Sequence, residues 1–98
     1  MSFGNLVAEH QRLLILQMLE QDAGYSHNEI VLQAGLDSLG HSISIAALHG
    51  MMDWLSDAGL LIVTDSAVGK VAKITARGVD VAKGRTIVSG VARPQPRV

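Results

Sequence analysis

The chain is 98 residues long, 48% hydrophobic and only 17% charged, with a formal net charge of −1 and a mean hydropathy of +0.29. That length fits one domain around one core, and the absence of cysteine excludes a disulfide framework and a thiolate metal site. Apolar stretches are far too short for a bilayer span and no basic-then-apolar leader opens the chain, so the expectation is a cytoplasmic protein, without membrane contact, whose apolar character points to a homodimer or another protein partner.

In chain order, Leu6, Leu13, Leu14, Leu16 and Leu19, with Val7, Ile15 and Met18, recur at helical spacing. They predict a first helix from Asn5, its expected N-cap, to about Gln21, stopped by Asp22-Ala23-Gly24. Ser26-His27-Asn28-Glu29 has the S-x-x-E spacing of a capping box and opens a second helix carrying Ile30, Val31, Leu32 and Ala34, weakened by Gly35 and ended by Gly40. Ser42 or Ser44 caps a third helix to about Ala58, with Ile45, Leu48, Met52 and Leu55 on one stripe.

Gly59 then breaks the helical pattern. Leu60 to Thr64 reads as a buried strand, residues 65–69 as a turn, and Lys70 to Thr75 as a returning strand with polar and apolar residues interleaved. Thr75 caps a short fourth helix, Ala76 to Lys83, stopped by Gly84. The predicted architecture is mainly α with a small antiparallel β-hairpin: a three-helix core, a hairpin wing and a closing helix over residues 1–84, followed by an extended, mobile basic tail over 85–98.

Met52 to Leu61 (MDWLSDAGLL) resembles the L-x-x-L-x-x-x-G-L-[VIL] signature of bacterial winged helix-turn-helix repressors of the ArsR and MarR types, and Ile74-Thr75-Ala76-Arg77-Gly78 resembles the L-T-x-x-G ending of their wing. The opening Met1 to Val7 with His10-Gln11-Arg12, and the ending Gly90 to Pro94, are similar to small winged-helix proteins of Mu-like bacteriophages and prophages, which carry no established activity. The resemblance implies a winged-helix fold, a phage origin and DNA binding in transcriptional regulation.

The charge distribution fits such a partner for one part of the chain. Residues 1–69 hold Arg12 against eight acids, whereas residues 70–98 hold Lys70, Lys73, Arg77, Lys83, Arg85, Arg93 and Arg97 against Asp80. Such a split points to an anionic partner for the C-terminal part, or to attraction between the two parts. Double-stranded DNA would meet Ser42, Ser44 and His49 at the front of the third helix, Lys70 and Lys73 on the wing, and Arg77 on the last helix. The solvent-facing positions of the third helix contain no Arg, Lys, Asn or Gln, the residues that pair with base edges, and Asp53 would repel phosphate.

A non-enzymatic protein-interaction module is therefore the alternative, with Ala47, Met51 and Trp54 as its contact surface; core packing is the competing role for Met51 and Trp54. His10, His27, His41 and His49 are scattered without metal-ligand spacing, so neither a metal nor another cofactor is expected. No nucleophile elbow and no glycine-rich phosphate loop occurs, so no catalytic residues are assigned.

Overall fold

The computed structural model describes residues 2–96; Arg97, placed in the basic tail by the sequence reading, lies outside them. The chain runs through α1 (Phe3–Gln21), β1 (Ser26–Asn28), α2 (Glu29–Ser38), α3 (Ile45–Asp57), β2 (Leu61–Ser66), β3 (Gly69–Ile74) and α4 (Ala76–Ala82). Leu13, Ile15, Leu16 and Leu19 of α1, Leu32 and Leu36 of α2, and Leu48, Met52 and Leu55 of α3 meet in one core, closed by Leu60, Leu61, Ala72, Ile74 and Val81. The stripe read for α3 is thus its buried face, whereas Leu6 of the α1 stripe and Ile30, Val31 and Ala34 of the α2 pattern are exposed, because among the described residues the start of α1 and the outer side of α2 have no element packed on them. This is a winged-helix fold.

The passage from α3 to β2 shows how the sequence builds it. Gly59 has φ +79°, a left-handed conformation that costs a side-chain-bearing residue. Its N–H donates to the Ser56 carbonyl (2.9 Å) and the Leu60 N–H to the Leu55 carbonyl (2.9 Å), the paired bonds of a Schellman cap. Leu55 and Leu60 are both fully buried, so the hydrophobic contact that accompanies this cap joins the core. Thr75 completes the junction from the other side: its hydroxyl donates to the Gly59 carbonyl (2.8 Å) and accepts from the Gly78 N–H (3.0 Å), capping α4 as read.

Three local readings are corrected. The first helix starts at Phe3, with Ser2 accepting the Asn5 N–H (3.1 Å), so Asn5 lies inside the helix rather than capping it. Ser26 is no N-cap: Asn28 caps α2 through the Val31 N–H (2.9 Å), and Ser26–Asn28 forms a strand paired antiparallel to β3, with Ser26 opposite Lys73 and Asn28 opposite Val71. The expected two-stranded hairpin is consequently a three-stranded sheet, in the order β1-β3-β2. An N-cap residue sits in extended backbone, and here that extension runs back over three residues and gains ladder bonds.

Beyond α4 the chain passes through turns at Gly84 and Gly90 and packs back against the helices around residues 90–92. Val91 is buried, the Ala92 N–H donates to the Glu9 carbonyl (3.1 Å), and Arg12 Nη1 donates to the Gly90 carbonyl (2.9 Å). This strap covers one side of α3: a Cβ at Gly90 would collide with the Trp54 ring.

Candidate nucleic-acid interface

Ser44 caps α3 by accepting the Ala47 N–H (3.0 Å), and this fixes which residues face out. Leu48, Met52 and Leu55 point inward, leaving Ala46, Ala47, Gly50, Asp53 and Asp57 exposed on the far side. The exposed face is low in profile at the front of the helix, where a Cβ at Gly50 would meet nothing within 4 Å, and acidic toward its end. Ser42 is exposed in the preceding loop, beside a groove of about 260 Å³ bordered by Ile30, Gln33, Ala34, Asp37 and Ile43.

The wing reaches this front through Glu29, a residue the sequence reading had placed in a capping box. Glu29 is the first residue of α2, and its carboxylate turns toward the wing instead of back along its own helix. Oε1 accepts the Lys70 backbone N–H, and Oε2 lies 3.1 Å from His49 Nε2 on α3, a close approach in which the ring N–H is not aimed along a hydrogen bond. The backbone N–H of Lys70 does most to hold the Glu29 carboxyl below the usual carboxylate range, and His49 adds to it. Gly69, the turn residue beside it, has φ +106°, and any Cβ there would strike the Glu29 carboxylate. One side chain therefore ties α2, α3 and the wing together.

Lys70 itself is half-buried among acids. Its Nζ donates to Asp65 Oδ1 (3.0 Å), and this bond holds its pKa above the ordinary lysine range, with smaller contributions from Asp53 and Glu29. Lys73 lies on the outer face of the sheet, opposite Ser26 and Ile62, exposed. Among the described residues Lys73 and Arg93 make no ion pair, whereas Lys83 meets Glu20 (3.3 Å) and Arg85 meets Asp80 (3.4 Å). Part of the C-terminal positive charge is thus taken up within the molecule.

The residues singled out in the sequence fall into several places. His49 and Lys70 meet through Glu29, Ser42, Ser44 and Ala47 lie at the start of α3, and Lys73 is further along the wing ribbon. Arg77 is elsewhere: its Nη1 donates to the Ala58 carbonyl (3.2 Å), at the C-terminal end of α3. Trp54 and Met51 are half-buried on the side toward the strap, and the Arg12 guanidinium carbon lies 4.2 Å from the Trp54 ring centroid. The His10 and His41 rings lie 5.5 Å apart, tilted by 55°, but among the described residues no three His, Cys, Asp or Glu side chains converge as metal ligands. No helix among these residues is long and apolar enough to cross a membrane.

No protein-family model matches the chain. It is, however, 41% identical over 93 residues to the uncharacterized protein gp26 of Escherichia phage Mu, covering 95% of this chain and 96% of that one. The chain belongs to the Mu gp26 family. A second relative, an uncharacterized protein of Haemophilus influenzae, is 41% identical over 78 residues, covering 79% of this chain and 76% of its own. Among solved structures the chain is similar to F93 from STIV, a winged-helix DNA-binding protein, with a TM-score of 0.59 and 24% identity over 71% of this chain and 76% of that chain. That likeness shows that this member of the Mu gp26 family shares the winged-helix fold.

Proposed function

We propose that this member of the Mu gp26 family is a non-enzymatic, cytoplasmic DNA-binding protein that acts in phage transcriptional regulation as a homodimer. The observation that supports the reading is that Glu29 meets both the wing turn at Lys70 and His49 of α3, which sets these two elements side by side. A duplex would lay its backbone across the two, with Ser42 and Ser44 at the helix front, His49 beside them, and Lys70 and Lys73 on the ribbon. The small side chains at Ala46, Ala47 and Gly50 let α3 approach closely, but they supply no base-reading groups, so affinity would come chiefly from phosphates. The test is a salt titration of a labelled duplex by fluorescence anisotropy. Binding that weakens steeply with salt supports the reading, and no binding at low salt to random or phage sequences contradicts it.

A second reading has its own support. Asp53 and Asp57 are exposed on α3, and Phe3 (80% exposed) and Leu6 (50%) form an apolar stripe at the start of α1. A winged helix serving as a protein-interaction module would use such surfaces, with Ala47, Met51 and Trp54 at its edge. Light scattering on Met51→Lys and Trp54→Ser separates the two roles: loss of assembly with an intact fold favours the module, and unfolding favours packing.

A further inference from the structure

Glu29 stands in an unusual place for an acid on a DNA-facing surface. Its side chain is 11% exposed, and its two oxygens face two different elements, the Lys70 N–H of the wing and the His49 Nε2 of α3. That ring nitrogen is buried and has no aligned hydrogen-bond partner. Gly69 leaves the space the carboxylate fills. A carboxylate and a phosphodiester share the relevant chemistry, since each presents two anionic oxygens on one central atom, and both favour backbone N–H donors. No other anion can enter while Glu29 is there, and its charge, with those of Asp65 and Asp53, offsets Lys70 on the face a duplex would approach.

We propose that the Lys70 N–H and His49 Nε2 form a phosphodiester site, and that the Glu29 carboxylate is its resident competitor, displaced when a duplex docks. This rests on the DNA-binding reading above and names the contact through which that binding is restrained. Glu29 thus has two effects. It holds the wing against α3 in the free protein, and it sets a threshold that only a backbone making several simultaneous phosphate contacts overcomes.

The experiment compares the full chain with its Glu29→Gln and Glu29→Asp variants, using a labelled random-sequence duplex over a salt series. Gln keeps an oxygen to accept the Lys70 N–H but removes the competing charge. It is expected to bind several-fold tighter, with a salt slope steeper by about one, the increment for one added phosphate contact. Asp keeps the charge and is expected to bind no tighter than the unsubstituted chain. Amide exchange at Lys70 reports whether the wing stays tied. The unsubstituted protein gives an independent reading, because saturation with duplex should move the Glu29 carboxyl and Lys70 amide resonances together. Equal binding by the unsubstituted and Gln chains, or a Glu29 carboxyl resonance unmoved at saturation, overturns this inference and leaves the DNA reading intact. A duplex bound by none of the chains overturns both.

Discussion

Leu60 donates its backbone N–H to the carbonyl of Leu55 across the left-handed Gly59, and both leucine side chains are fully buried. This relationship turns the chain from α3 into the wing and fixes the angle between them. Leu55→Ala is expected to cost about 2–5 kcal/mol, the range for a truncated core leucine. Gly59→Ala is expected to cost about 1–2 kcal/mol through backbone conformation alone, because a Cβ there meets only Arg77 Nη1, at 3.8 Å. Chemical denaturation measures both, and a Gly59→Ala variant as stable as the parent would refute the turn's role.

The Glu29 tie has a pH signature. Its carboxyl is held below the usual range in the folded protein, first by the Lys70 N–H and then by His49. A depressed carboxylate contributes stability that is complete above its unfolded pKa, about 4.3, and is lost as pH falls through the lower folded value. Thermal melts should therefore fall more steeply with acidification below about pH 4.3 in the parent than in Glu29→Gln. Parallel curves would show that the contact adds nothing.

Lys70 follows the opposite sign. Its pKa is raised, chiefly by the Asp65 hydrogen bond, so its contribution is present below the ordinary lysine range and declines only as pH rises through the higher folded value. Asp65→Asn is expected to leave neutral-pH folding nearly unchanged, as exposed ion pairs contribute little, while freeing Lys70 for an anion. Duplex affinity at low salt should increase in that variant; a decrease would mean that the pair positions Lys70 productively.

Arg12 lies over Trp54 and bonds to the Gly90 carbonyl, so it pins the strap to α1 and α3. Arg12→Ala should destabilise the fold by about 1–2 kcal/mol and shift the fluorescence of Trp54 to the red as the ring meets water. Because the chain has one tryptophan, the spectrum reports this site alone. Unchanged emission would indicate that the strap holds without Arg12.

The elements legible in the sequence are those whose signals are local. The stripe Leu48, Met52, Leu55, the break at Gly59 and the Thr75 cap depend on neighbours within a few residues, and each took the role its spacing implied. Ser26-His27-Asn28 gave no strand signal because it is short and polar, and its ladder partners, Val71 to Lys73, lie more than forty residues away. Glu29 was misread for the same reason: a helix-start motif describes what an acid can reach on its own helix, not a wing turn forty-one residues on. The strap was likewise hidden, since two prolines and scattered arginines look alike whether a tail is free or held by Arg12 and a buried Val91. Of the residues singled out in the sequence, His49 and Lys70 both meet Glu29, whereas Arg77 sits on the Ala58 carbonyl at the far end of α3, a separation that no local spacing reports.

The central claim, that the α3 front and the wing form one DNA-binding surface, is tested most directly by mapping backbone amide shifts of the labelled protein during titration with a duplex at low salt. The account expects perturbations concentrated at Ser42, Ser44, Ala47, His49, Lys70 and Lys73, fading as salt rises. Shifts confined to Phe3, Leu6, Met51 and Trp54, or no shifts at all, would contradict it.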